Sequence, residues 1–334
     1  MLYREAHCEN CLKFRCCTSK FETAAMQGFV IHILLATYQG APHLSQQLAS
    51  IAAQTHGGWL LWASDDGSTD GTVGLLQAFA HAHPTRVQLL QGPRQGAARN
   101  FFSLIHGIGG VGINDLVAFC DQDDVWLPDK LARAAQWHAA RAAPEQPGLY
   151  MARTTITNSA LNPLGHSRVP HTLGIGNALV ENVAGGNSMV FNQALLHTLR
   201  RIQSAHMVLH DWSAYLAAAA CGAQMVYDEK PCLLYRQHAA NVIGAAPSWR
   251  RRALRLWKVS QGGYRVWGTA TEGAMIDLQP QLTVEATQAL AAFQGARHGR
   301  GPVLRLRQAR RAGLTRQSLV AQAGLLAMVA LGLL

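Results

Sequence analysis

The chain has 334 residues, enough for one large domain with appendages or for two modest domains, so burying a core presents no difficulty. Charged residues make up only 14% of it and hydrophobic ones 49%, which leaves room for a membrane-contacting part. From Trp249 to Leu334 there are 13 Lys or Arg against 3 Asp or Glu, a difference of +10 that equals the net charge of the whole, so the body is neutral and a basic, Leu-rich end speaks for an anionic membrane surface over nucleic acid.

The first 25 residues carry charges throughout and lack a continuous apolar core, so no secretory signal is read there and a cytoplasmic body is expected. Four cysteines, Cys8, Cys11, Cys16 and Cys17, crowd this stretch. The adjacent Cys16–Cys17 pair suits tetrahedral zinc poorly, and no His lies at a zinc-finger distance beyond it. Residues 1–25 are therefore expected to be a disordered extension, with Met26 opening the folded part. Cys120, Cys221 and Cys232 lie in apolar surroundings and read as reduced, buried thiols.

Phe29 to Tyr38 is an almost unbroken apolar run, the pattern of a parallel strand buried on both faces. Leu44, Leu48 and Ile51 then recur at helical spacing after Pro42. Trp59–Ser64 predicts a second strand ending in Asp65-Asp66-Gly67-Ser68, and Thr72–His83 a helix. Arg86–Leu90 predicts a third strand, Asn100–Gly107 a helix, and Leu116–Cys120 a fourth strand running directly into Asp121-Gln122-Asp123-Asp124. Beyond Pro128 a helix is expected through Trp137. Tyr150–Thr157 is β-rich, a short apolar strand follows the glycines of Asn182–Asn192, Asp211–Cys221 is an Ala-rich helix, and Met225–Asp228 and Leu233–Arg236 read as closing strands.

Alternating strands and helices predict an α/β fold with an open, mostly parallel sheet flanked by helices, followed by a mixed α/β half. Ligands of such folds bind beyond the carboxyl ends of the strands. Thr37-Tyr38, Asp65-Asp66 and Asp121 to Asp124 all fall at that end. Residues two apart on an extended chain share a face, so one divalent cation, Mg2+ or Mn2+, can reach both Asp121 and Asp123; the bland alternative is a solvated acidic turn. Asp65 and Asp66 are turn formers or helix caps, or acceptors for the imide N–H of a uracil or thymine base on which the Tyr38 ring stacks. The segment ATYQGAP after the first strand lacks the G-x-G-x-x-G of a dinucleotide-dependent oxidoreductase.

The runs ILLATYQG (Ile33–Gly40), SDDGSTD (Ser64–Asp70), FCDQDDVWLPDKL (Phe119–Leu131), HDW (His210–Trp212) and YRQHAANVIG (Tyr235–Gly244) resemble the family 2 inverting glycosyltransferases of the GT-A fold, and within them the bacterial rhamnosyltransferase-like branch. The resemblance spans about 215 residues and five motifs in order, and leaves out residues 1–25. It implies nucleotide-sugar contacts from Ala36, Tyr38, Asp66, Arg99 and Asp121, metal ligation by Asp121 and Asp123, and Asp211 as the catalytic base, against the plain reading of Asp211 as an N-cap. His238 is either a third metal ligand or a core histidine, and Trp212 either lines the acceptor pocket or packs. Asn187 stands where the branch carries Cys in an N-x-x-x-G-C-T pattern, which bears on acceptor specificity.

The implied activity is transfer of a sugar, L-rhamnose from its dTDP donor, to a saccharide or lipid-linked acceptor in bacterial surface polysaccharide synthesis; a UDP-hexose donor, or an inactive nucleotide-binding regulator, is the alternative. The expected organisation is an extension over 1–25, the glycosyltransferase domain over 26–247 and a basic helical arm over 248–334. In that arm Ser248–Trp267 interleaves Arg with Leu and Trp, suiting either the inner face of the plasma membrane or a solvated accessory helix. The uncharged Leu319–Leu334 is 16 residues long, short of the roughly 20 that span a bilayer, and is expected to insert only partly.

Overall fold

A computed structural model describes residues 30–141, 143–207, 209–237 and 264–334. The extension over 1–25, His238 and most of the Ser248–Trp267 stretch lie outside the described residues.

The first half alternates strand and helix: β1 (Ile31–Thr37), α1 (Ala41–Ala52), β2 (Trp59–Asp65), α2 (Thr72–Ala82), β3 (Val87–Gln91), α3 (Ala97–Gly107) and β4 (Leu116–Cys120). The next stretch holds β5 (Val125–Trp126), α4 (Lys130–Ala139), β6 (Gly148–Ala152), β7 (Thr155–Thr157), β8 (Pro163–His166), α5 (Ile175–Ala178), β9 (Val190–Asn192) and α6 (Gln193–Leu199). After these come α7 (His210–Ala220), β10 (Gln224–Asp228) and β11 (Leu233–Arg236), then, among the described residues, four helices, α8 (Tyr264–Asp277), α9 (Val284–His298), α10 (Pro302–Arg311) and α11 (Leu319–Leu331).

Seven strands form one sheet in the order β10-β6-β9-β4-β1-β2-β3. Only β9 runs against its neighbours, so six carboxyl ends open on one edge, as the alternating pattern predicts. Alternation along β1 feeds both faces: Ile31, Ile33 and Leu35 join α1, α2 and α4 residues in one cluster, while Leu34 and Ala36 join α3, α6 and α7 in the other.

The β-rich stretch Tyr150–Thr157 divides at Arg153, whose N–H donates to Asp228 and whose carbonyl accepts from Cys232. What precedes it lies in the main sheet; β7 enters a second sheet, ordered β5-β11-β7-β8. Consequently the two expected closing strands part company, β10 edging the large sheet and β11 crossing into the small one.

The four C-terminal helices pack on the body. Met275, Leu278, Phe293, Leu325 and Val329 belong to the same buried cluster as Leu216 and Ala217 of α7. A Cβ on Gly176 would fall 2.1 Å from the Gly313 carbonyl oxygen, so glycine permits the backbone of α5 to approach the turn after α10. Among the described residues no helix is long and apolar enough to cross a membrane.

Candidate active site

The carboxyl ends of β1, β2 and β4 are stitched together by side chains. Gln122 accepts from the Tyr38 N–H at 2.8 Å and donates to its carbonyl at 2.9 Å, fixing the exit of β1 against the acidic turn. Both carboxylate oxygens of Asp65 are spent on the Thr37, Gly67 and Ser68 donors, so Asp65 shapes its own turn. The buried carboxylate of Asp66 accepts the N–H groups of Arg94 at 2.6 Å and Gly96 at 2.7 Å. Gly96, at φ +88°, starts α3 at Ala97, a turn earlier than expected, and puts Arg99 in the first turn, where its guanidinium donates to the Ser204 carbonyl. Ala36 is 8% exposed on β1, whereas Tyr38, just past the end of β1, is 57% exposed.

The acidic turn follows β4 directly. Burial, then the charges of Asp123 and Asp211, push the Asp121 carboxyl up to about 8. Three carboxylates from two distant segments therefore meet in one electrostatic neighbourhood. Asp124 is fully buried, accepting from Asn187 Nδ2 and from the Arg236 N–H at 3.2 Å. Burial and the two neighbouring aspartates hold its carboxyl well above the ordinary range.

Arg236, at the end of β11 and 3% exposed, closes the turn from behind. Its Nε donates to the Asp123 carbonyl at 2.9 Å, and its terminal nitrogens to the Ser159 carbonyl and to Gln46 Oε1. Asp124, Asn187 and Arg236 escape sequence reasoning because each is polar and buried, and their partners lie 63 and 112 residues apart. The Asn187 departure from the branch pattern thus has a local use: an amide donor for Asp124. Lys130 is also buried, its ammonium 4.0 Å from the centre of the Trp126 ring, and burial pulls its pKa down.

Asp211 lies inside the first turn of α7, not at its cap. Leu209 holds the N-cap position and no side chain caps the helix, while among the described residues Asp211 Oδ1 accepts from its neighbour Trp212 N–H at 2.7 Å. The N-cap alternative is not realised. His210 is stacked on Phe101 with ring centres 3.7 Å apart, and burial pulls its pKa down to about 4, so its ring is neutral at physiological pH. A Cβ on Gly186 would stand 2.3 Å from His210 Nε2 and 3.3 Å from Asp211 Cβ; glycine lets that turn close over the start of α7. Trp212 donates to the Ala178 carbonyl at 2.7 Å and meets Trp267 of α8 edge-on, so its indole lies between the body and the C-terminal helices.

Among the described residues no group of three or more His, Cys, Asp or Glu is disposed to hold a metal ion, and the third expected ligand, His238, lies outside them. The pair Asp121 and Asp123 nevertheless suits a hard divalent cation in chemistry: oxygen donors whose mutual repulsion a cation would relieve.

Residues 32–180 match the model of Glycosyl transferase family 2. The chain carries a family 2 glycosyltransferase domain. It is 28% identical over 253 residues to the dTDP-rhamnosyl transferase RfbG of Shigella flexneri, covering 73% of this chain and 85% of that protein. A shorter stretch, 107 residues, is 28% identical to the UDP-Glc:alpha-D-GlcNAc-diphosphoundecaprenol beta-1,3-glucosyltransferase WfgD of Escherichia coli, over 32% of this chain and 40% of the relative. In three dimensions it resembles the S. aureus TarS structure with UDP-GlcNAc, with a TM-score of 0.50 at 12% identity, over 85% of this chain and 90% of that one. The fold is GT-A, and the protein is an enzyme of nucleotide-sugar-dependent glycosyl transfer.

Proposed function

We propose that the protein transfers a sugar with inversion from a nucleotide donor, L-rhamnose from dTDP-rhamnose, to a saccharide or lipid-linked acceptor at the inner face of the plasma membrane. The observation that carries the chemistry is the position of Asp121 and Asp123 directly after β4 at the open edge of the sheet, where the charge of Asp211 also acts on Asp121. The rhamnosyl reading rests on the similarity to RfbG, which extends past the family domain into the acceptor half.

In this reading Tyr38 stacks on the base, Asp66 orders the loop that faces it, and Arg99 and the first turn of α3 meet the diphosphate. Asp121 and Asp123 hold a divalent cation, Mg2+ or Mn2+, whose chemistry is neutralisation of the departing diphosphate. Asp211 accepts the proton of the acceptor hydroxyl while that oxygen forms its bond to the anomeric carbon. The bond to the diphosphate breaks with its electron pair on the nucleotide, and the opposite-face approach inverts the centre. His210, neutral and wedged between rings, fixes the start of α7 without competing for that proton. The metal-site and base assignments are tested together by thermal protection and turnover with a panel of dTDP-, UDP- and GDP-sugars, with and without Mn2+. Selective protection and turnover with dTDP-rhamnose is expected. Preference for a UDP-hexose would replace the donor and leave the reaction class standing.

A further inference from the structure

We propose that the outer faces of α10 and α11 form a docking surface for an anionic phospholipid bilayer. The inference goes beyond the catalytic reading and does not depend on it. From Gly299 to the end the chain contains six arginines and no Asp, Glu or Lys, and from Gln317 onward it contains no charge at all.

Two of those arginines work inside the protein. Arg305 donates to the Val329 carbonyl at 2.9 Å and also to that of Ala330, closing the end of α11 and tying α10 to it. Arg316 donates to the Val180 carbonyl at 2.8 Å. The other four, Arg300, Arg307, Arg310 and Arg311, are exposed and form no ion pair among the described residues.

The neighbouring helix α11 adds an apolar face that no described residue covers. Leu325 and Val329 of α11 are buried against the body, whereas Val320, Ala323, Gly324, Ala327 and Leu331, recurring at helical spacing on another side, are all exposed. Leu319 is 90%, Val320 86% and Leu331 71% exposed, and Val303 of α10 adds a side chain at 80%. A helix of 13 residues is about 20 Å long, too short to cross about 30 Å of hydrocarbon, but suited to lie in the interface with one face in the acyl boundary and arginines at phosphate depth. Charge selects the occupant: a second copy would bring arginines against arginines with no carboxylate in this segment to pair them, whereas phosphodiester headgroups complement all four.

The test is sedimentation of the full chain with vesicles of phosphatidylglycerol mixed into phosphatidylcholine, against phosphatidylcholine alone, without donor or acceptor. Binding at least about tenfold tighter to the anionic vesicles and weakening with salt is expected. The paired variants Val320→Glu with Leu331→Glu, and Arg307→Glu with Arg311→Glu, are expected to lose that binding while the melting temperature and transfer to a soluble acceptor stay unchanged. Equal binding to both lipids, or unaltered binding by both variants, overturns the proposal. A concentration-dependent dimer that these variants dissolve in the absence of lipid assigns the face to a second copy and likewise overturns it. Failure of the transfer assay with retained vesicle binding would count against the catalytic reading alone.

Discussion

Arg236 donates its Nε–H to the backbone carbonyl of Asp123 at 2.9 Å, and its own N–H is accepted by the carboxylate of the next residue, Asp124, at 3.2 Å. One buried guanidinium on the small sheet thereby sets the path of the acidic turn on the large one. Lysine keeps the charge but has no planar fork for acceptors on three segments. Arg236→Lys is expected to raise the Mn2+ concentration for half-maximal transfer by about ten- to a hundredfold, as loss of a supporting contact behind a metal ligand does. Kinetics normalised to folded protein, titrated with Mn2+, check this. An unchanged Mn2+ requirement with a lowered melting temperature would leave Arg236 a purely structural role.

Asp123→Ala removes one of the two carboxylates proposed to hold the cation at the donor diphosphate, while the backbone carbonyl that Arg236 grips is retained. Transfer should vanish with far-ultraviolet circular dichroism unchanged. Thermal protection by the donor with Mn2+ should vanish too. Wild-type turnover that is identical with and without a chelator would sink the metal assignment.

Asp211→Asn keeps the shape and the acceptor for the Trp212 N–H but removes the basicity. Turnover is expected to fall roughly 10²–10⁴-fold, with donor binding and melting temperature nearly unaltered. Because Leu209 and not Asp211 occupies the cap, Asp211→Ala should not carry the stability loss of a missing helix cap. Near-normal turnover of the asparagine variant would remove Asp211 from the base role.

Acid should destabilise the fold through two histidines. Burial holds both His138 and His210 at about 4, below the ordinary 6.5; Arg141 lowers His138 further, whereas Asp211 opposes the shift of His210. The unfolded chain takes up these protons as pH falls through about 6.5, whereas the folded chain does not until about 4. Their contribution is therefore complete above about pH 6.5 and shrinks between there and about 4, by up to about 1.4 kcal/mol per pH unit for each ring. Urea unfolding at pH 7 and pH 5 measures the slope. His210→Phe should reduce the difference by one proton's worth, and an unchanged difference would show that His210 is not buried neutral.

Much of the donor half was legible in the sequence. The apolar run of β1, the strand Leu116–Cys120 with its abrupt acidic end, and helical spacing between strands are local patterns, and buried parallel strands leave few other residue types for those positions. Asp121 and Asp123 could be singled out as candidates because they follow directly on the carboxyl end of a buried strand, and Asp211 because the run HDW resembles a family motif.

Tertiary structure alone decided the rest. The pairing of Asp124 with Arg236 spans 112 residues, and a hydrogen bond between distant polar groups has no periodicity to read. The division of β10 and β11 between two sheets turns on backbone bonds at Arg153. The sequence marked residues 248–334 as a basic arm, but composition cannot say which side of a helix meets protein: Leu325 and Val329 bury against the body and Val320 and Leu331 do not, because packing and not hydrophobicity distinguishes equally apolar residues of one uncharged helix.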